Sequence, residues 1–375
     1  MSAPIELNEQ RAGLSPAAVA RALSRLEGCE VELQSMASIA EDRAATELKH
    51  IGYGEPALLR YRARGEERRA VLHTMAPNWF DHDRRADRAA LVLLAADTFD
   101  RVPHHSRVLD VGAVGARGEL ISLAGTGELY LLTTYAEGKL YAQDLRRIEQ
   151  DARATALDVE RATALAACLV DLHRPPIDSA PERYTRAIRD LLGSGEGIFG
   201  IADSYPTGGP VPFARLEAIE QRCLAWRWKL RGREARLRET HGDFHPYNIL
   251  FRDGCDFTLL DASRGGVGDP ADDLAALAIN YVFGAVLYPA AWNEGLRPLW
   301  EAFWSTYLDG SGDGDVCAVI APFFAWRALV VASPVWYPSL TTAQRDRLLG
   351  FAEGLLDQGR FDPGETSGFV SPGSK

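Results

Sequence analysis

Apolar residues recur mainly at strand spacing up to about residue 135 of this chain and mainly at helix spacing beyond it. Ser15-Pro16 supplies an N-cap and a first-turn proline, Val19, Leu23 and Leu26 follow at helical spacing, and Gly28 closes the helix. Residues 31–39 alternate and predict an extra strand. Residues 47–75 read as a three-stranded meander: Leu48-Lys49-His50-Ile51, then Leu58-Leu59-Arg60-Tyr61, then Ala70-Val71-Leu72-His73. Its turns fall at Gly52-Tyr53-Gly54 and Gly65. Residues 83–99 are helical in pattern, and 108–114 and 128–135 read as strands.

From 140 to 171 a single long helical pattern puts Leu145, Ile148, Leu157, Leu165 and Leu169 on one face. Residues 193–210 are Gly-rich and read as a loop, and 216–238 as a basic helix whose Trp226 and Trp228 serve packing. A helix opens at Asp269-Pro270-Ala271-Asp272, with Asp269 as N-cap and Asp272 at the third position. Helices rich in Trp and Phe fill 292–357, and the Gly/Ser/Pro-rich chain after Phe361 is expected to be disordered. The expected organisation is an N-terminal helix and strand over 1–40, a small β-rich lobe over 41–134, a larger helical lobe over 135–362 and a disordered tail over 363–375.

Length and charge narrow the function. A chain of 375 residues has room for a substantial core. With 41 Lys and Arg against 52 Asp and Glu, the formal net charge of −11 argues against nucleic acid as a partner. Five scattered cysteines without Cys-x-x-Cys spacing suit a reducing compartment, with Cys168 and Cys223 read as small buried hydrophobes. No signal-peptide pattern or membrane-length apolar run is present, so a soluble cytoplasmic protein without a membrane partner is expected. Oligomeric state is not written in these patterns.

The densest chemistry lies in His241-Gly242-Asp243-Phe244-His245-Pro246-Tyr247-Asn248-Ile249-Leu250, followed by Phe257-Thr258-Leu259-Leu260-Asp261. Asp243 and Asn248 have the spacing of a phosphoryl-transfer catalytic loop: a carboxylate meets the acceptor proton while an amide one turn later holds a metal. Asp261, at the end of an apolar strand, adds a second oxygen donor suited to Mg²⁺. Two plainer readings stand beside this. His241, Asp243 and His245 alternate as metal ligands can, and an Asp and an Asn can simply serve turns. For the first, no other His/Asp cluster among the eight histidines supplies the missing ligands; the second explains each residue singly but not the ordered series Asp243, Asn248, Asp261 and Asp273.

These segments, with Gly268-Asp269-Pro270-Ala271-Asp272-Asp273-Leu274-Ala275, resemble the aminoglycoside phosphotransferase and choline kinase family. The resemblance is dense over 241–275 and diffuse elsewhere. It implies an α+β, two-lobed, protein-kinase-like fold and an enzyme that moves the γ-phosphoryl of ATP or GTP, with Mg²⁺, onto a small-molecule hydroxyl. It implies Asp243 as the catalytic base, Asn248 and Asp261 as metal ligands, and Asp273 as a brace for the catalytic loop. Gly52 and Gly54 would cover the phosphates, His73 would stand at the β3 cation position, Asp87 would be its acidic partner, and Thr133 and Tyr135 would belong to the hinge that meets the purine. His173 at a helix end is structural in this reading.

Two departures stand out. His73 replaces the usual Lys or Arg, and a neutral imidazole supplies little fixed charge for phosphates; Lys49, Arg60, Arg68 and Arg69 are the available substitutes. After Asp261 stand Ala262-Ser263-Arg264 in place of an aromatic-acidic pair; Arg264 is suited to a phosphate or an anionic substrate, or is simply an exposed charge. A nucleotide-binding, pseudokinase-like module and a nucleotidyl transferase on the same fold are the alternatives. The acceptor itself is not legible.

Overall fold

A computed structural model describes residues 14–38, 56–78, 80–178, 181–262, 264 and 266–370. The chain divides into two compact units, Met1–Thr133 and Thr134–Lys375.

In the first unit α1 (Pro16–Glu27) forms where its caps predict. Ser15 Oγ accepts from the Ala18 N–H at 3.0 Å, and Gly28 leaves the helix at φ 62°. Strands β1 (Val31–Ser38), β2 (Ala57–Ala63) and β3 (Glu66–Leu72) make an antiparallel sheet in the order β1-β2-β3. Val31 pairs with Ala63 and Ala57 with Leu72, and β1 slips its register between Leu33 and Ser35. The β2–β3 turn passes through Arg64 and Gly65, both at positive φ. Val19 and Leu23 of α1 close a small core with Val31, Leu59, Tyr61 and Ala63. The unit continues through α2 (Arg85–Thr98) and the hairpin of β4 (Gly112–Val114) and β5 (Leu120–Ser122). No residue of α2 is fully buried; with α1, the sheet and the hairpin segment it borders a largely aliphatic cavity of about 700 Å³.

Two expectations for this stretch of chain change, and one falls on residues not described. The first meander strand at 48–51, with Gly52 and Gly54, lies outside the described residues. The strand expected at 108–114 shortens to Gly112–Val114. Residues 128–135 form no strand; Tyr130, Leu131, Leu132 and Tyr135 are 88–92% exposed. Their run of consecutive apolar residues lacks the alternation that would seat one face on a core, and among the described residues no strand pairs with it.

The second unit opens with β6 (Lys139–Leu140), which follows Gly138 at φ 145°. A Cβ there would come within 2.9 Å of the Phe251 carbonyl oxygen, so this close pass requires glycine. The single helix expected over 140–171 is two, α3 (Tyr141–Asp151) and α4 (Ala156–His173). Ala152 turns left-handed at φ 52°, and Thr155 with Asp158 forms a capping box that restarts the helix. Next come α5 (Pro181–Gly193) and α6 (Ile198–Asp203), the latter inside the stretch expected to be loop. The helix expected over 216–238 is α7 (Phe213–Leu230), and β7 (Arg238–Thr240) follows. Trp226 is buried and donates to the Leu356 carbonyl at 3.0 Å, whereas Trp228 is exposed beneath the guanidiniums of Arg227 and Arg231.

Strands β8 (Ile249–Phe251), β9 (Phe257–Leu259) and β10 (Gly266–Gly268) complete the sheets around the polar motif. β8 lies between β6 and β9, and β10 pairs with β7. The remaining helices are α8 (Ala271–Leu287), α9 (Arg297–Ser311), α10 (Val316–Val319), α11 (Ala321–Ala332), α12 (Thr342–Gln358) and α13 (Ser367–Val370). Trp300, Phe303, Trp304, Phe324 and Phe351 form the centre of their core with Phe361. The tail expected to be disordered is packed as far as Phe369: Trp300 Nε1 donates to the Pro363 carbonyl at 2.9 Å and Thr366 is buried. Chain polarity alone predicted disorder there, but Trp300 and Phe351 offer the segment an apolar seat, the latter against Phe369.

The five cysteines are unpaired; Cys223 is buried as expected, and Cys168 is half-buried. No helix among the described residues is long and apolar enough to cross a membrane.

Candidate active site

The motif residues sit between β7 and β8 and after β9, on backbone fixed by hydrogen bonds. Gly242 takes φ 79°, a left-handed turn that a side chain would strain. Asp273, fully buried in the first turn of α8, accepts the His241 and Gly242 N–H groups, each at 2.8 Å. His173 Nε2 approaches the same carboxylate at 3.2 Å, and its Nδ1 meets the Tyr307 hydroxyl at 3.0 Å. Asp273 is therefore a brace, and His173 is structural. Beneath it Asp269 accepts two bonds from Arg236 at 2.8 Å and one from the Tyr184 hydroxyl at 2.7 Å. α8 starts later than the sequence suggested. Asp269 still accepts from the Ala271 N–H at 3.0 Å, but its charge goes mainly to Arg236.

Asp243 and Asn248 face each other across one short turn. Asn248 Nδ2 donates to the Asp243 carbonyl at 3.1 Å and reaches its Oδ2 at 3.4 Å. That orientation leaves Asn248 Oδ1 free of any hydrogen bond among the described residues. Asp261 arrives from the other side: the Leu260 N–H donates to the Asn248 carbonyl at 2.8 Å, extending the β8–β9 pairing by one step. Asp261 then turns left-handed, φ 47°, a conformation that Asp adopts more readily than most residues. Asp243 and Asn248 are thus in contact, and the strand pairing sets Asp261 one residue beyond the Leu260 that bonds the Asn248 backbone.

The donor set near Asn248 and Asp261 is amide and carboxylate oxygen, which suits a hard cation that keeps water and phosphate among its ligands. Among the described residues no three His, Cys, Asp or Glu side chains gather to hold a metal, so the alternative cluster of His241, Asp243 and His245 does not form. His241 is instead buried, its Nδ1 receiving the Asp243 N–H at 3.3 Å.

The charge around Asp243 was only partly legible. Arg264 Nη2 lies 2.7 Å and Arg327 Nη1 2.8 Å from Oδ1, and His245 Nε2 lies 3.4 Å from Oδ2. Burial alone would raise the carboxyl's pKa. The His245 hydrogen bond and the two guanidiniums outweigh it and hold the group well below the usual carboxylate range. Arg327 also bonds Asp272 at 3.0 Å, yet burial still pushes Asp272 up to about 6. Arg327 stands on α11, far along the chain from Asp243, and no local pattern marks it.

The other predicted residues belong to the first unit or its edge. His73 is exposed just past β3 and joins the wall of the aliphatic cavity, which Asp87 does not line. Asp87 accepts the Arg84 N–H at 3.0 Å and so caps α2. Thr133 and Tyr135 lie on the exposed irregular segment.

The sequence model of the phosphotransferase enzyme family matches residues 54–307. No curated protein matches the chain. Among solved structures, a glucosamine kinase is similar at 17% identity and TM-score 0.41, over 58% of this chain and 60% of that one. An amicoumacin kinase in complex with AMP-PNP, Ca²⁺ and Ami is similar at 14% identity and TM-score 0.40, over 95% and 98%. A choline/ethanolamine kinase family protein from Mesorhizobium loti is similar at 16% identity and TM-score 0.31, over 55% and 81%. The match thus spans less than two thirds of the glucosamine kinase's length.

Proposed function

The chain belongs to the phosphotransferase enzyme family, and on that premise we propose that it is a small-molecule kinase that transfers the γ-phosphoryl of ATP or GTP to an acceptor hydroxyl. What supports this reading is the contact of Asn248 with Asp243 and the bond of Leu260 to the Asn248 carbonyl, which sets Asp261 next along the chain, on backbone that Asp273 braces.

In this reading Asp243 orients the acceptor hydroxyl and takes its proton. The transition state of phosphoryl transfer is loose, so alignment by the carboxylate matters more than its basicity. Asn248 and Asp261 would hold Mg²⁺ through amide and carboxylate oxygen, and the ion would supply positive charge against the phosphate oxygens. Gly52, Gly54, His73, Asp87, Thr133 and Tyr135 remain the proposed nucleotide contacts.

A nucleotide-binding module without turnover is the second reading, favoured by Asp87's use as a helix cap beside a β3 strand that offers His73. The two separate in one assay: transfer from γ-labelled ATP and GTP, with Mg²⁺, into a pooled metabolite and antibiotic library, beside Asp243→Asn. The kinase reading expects a labelled product that falls by about a thousandfold or more in the variant. Nucleotide binding with no product from any pool would favour the module.

A further inference from the structure

Asp243 Oδ1 holds two guanidiniums at once, and they are held very differently. Arg327 is buried on α11, and its Nη2 also donates to the Gly242 carbonyl at 3.1 Å and to Asp272 at 3.0 Å. Arg264 stands on the segment after Asp261, with its side chain 29% exposed. Its other ion pair is a 3.7 Å approach to Glu196, whose side chain is largely in solvent. Both guanidiniums lie over the Trp326 ring, Arg327 at 3.8 Å and Arg264 at 4.7 Å from its centroid.

An acceptor hydroxyl cannot hand its proton to an oxygen that two cations already cover. Oδ2 is faced by His245 and Asn248, so Oδ1 has to be cleared on one side. Arg327 would forfeit Asp272 and the Gly242 carbonyl by leaving. Among the described residues Arg264 would forfeit only Asp243 and the weak Glu196 contact, and it can slide along an aromatic face that keeps its charge partly compensated. Taking a guanidinium off a carboxylate in a largely buried site is costly unless another anion receives it. The same place offers further unused donors: Trp326 Nε1 and Arg327 Nε are both buried without an acceptor among the described residues. A cationic acceptor would meet two guanidiniums here. An anionic one would meet donors in want of a partner.

We propose that the acceptor is a hydroxy compound bearing a carboxylate or phosphate group, and that Arg264, beside Trp326, is the residue that binds that group and thereby frees Asp243. This rests on the small-molecule kinase reading. No bond is made or broken in the exchange; Arg264 trades the Asp243 carboxylate for the acceptor's oxyanion, and the hydroxyl takes the vacated position.

The first test does not depend on turnover. In the full chain labelled with ¹⁵N-arginine, the Arg264 Nε resonance is assigned by its loss in Arg264→Lys and followed during separate titrations with glycerate, glycerol, choline and Mg–AMP-PNP. The expected result is a shift with glycerate and none with glycerol or choline. No shift with glycerate, or a shift with Mg–AMP-PNP alone, overturns the proposal, the latter by assigning Arg264 to the nucleotide phosphates.

The second test supplies γ-labelled ATP with two acceptor pools, hydroxy acids with sugar phosphates and amino alcohols with amino sugars. Label is expected in the anionic pool. Arg264→Met should raise the acceptor KM by about tenfold or more, the scale of a lost charge-assisted hydrogen bond, and leave the KM for ATP within about twofold. Label confined to the cationic pool, or an unchanged acceptor KM, would overturn it. A glycerate shift without label in either pool would count against the kinase reading and leave the anion site standing.

Discussion

Asp243 meets its charged neighbours before it meets any substrate, and they set the pH range in which it can act. Because its pKa is depressed by His245, Arg327 and Arg264 against the opposing effect of burial, the carboxylate stays ionised well into acid. The sign follows: a carboxyl lowered in the folded state adds stability above its unfolded value, and that contribution is lost as pH falls through the lowered one. For activity, Asp243 itself should impose no acid limb on kcat/KM between neutrality and about pH 5; an acid limb near 6 is expected from Asp272, which burial pushes up beside Arg327. A pH–rate profile would show this. An acid limb near pH 6 that persists in Asp272→Asn would contradict the assignment of Asp243 as the depressed base.

Whole elements bring these residues together, and some of their junctions can be tested separately. The first turn of α8 supports the catalytic loop through Asp273, which gives one carboxylate oxygen to each of two buried N–H groups. Asp273→Asn leaves one of them without an acceptor, an expected loss of about 1–3 kcal/mol in unfolding free energy with a fall in kcat. Denaturant unfolding and turnover together check it, and unchanged values in both would remove Asp273 from the brace. Between α3 and α8, Glu149 lies against Gly284, where a Cβ would come within 2.5 Å of its Oε1. Burial pushes Glu149 up from 4.5 to about 7, with Arg146 opposing. A raised carboxyl stabilises the fold below its unfolded value and loses that contribution as pH rises through 7. Glu149→Gln should therefore be more stable than the parent at pH 8, by on the order of 1–3 kcal/mol, and gain nothing at pH 4. Equal stability at both pH values would rule this out.

Element starts were the most legible part of the fold, because caps are written locally: Ser15-Pro16 opens α1 as predicted. The break at Ala152 was missed although Thr155 and Asp158 carry a cap signature, since the apolar period runs on across it. Residues 128–135 failed for a different reason. Apolar content was read as a strand, and a strand needs a partner that no local pattern supplies.

At the scale of the whole molecule, the polar motif was legible because phosphoryl transfer demands particular residue types at fixed separations, and the sequence sets Asp243, Asn248 and Asp261 at such separations within one compact unit. Arg327 was not legible, since tertiary packing alone brings α11 to the catalytic loop. The first unit was the harder to read: its described core is small, α2 buries no residue fully, and Gly52 and Gly54 lie outside the described residues.

The central claim is that these three residues form a metal-dependent nucleotide centre. Calorimetric titration of Mg–AMP-PNP into the parent chain, Asp243→Asn and Asp261→Asn tests it most directly. The account predicts binding that requires Mg²⁺, is retained in Asp243→Asn and weakens by about tenfold or more in Asp261→Asn. Binding indifferent to Mg²⁺, or an Asp261→Asn chain that binds as tightly as the parent, would contradict it.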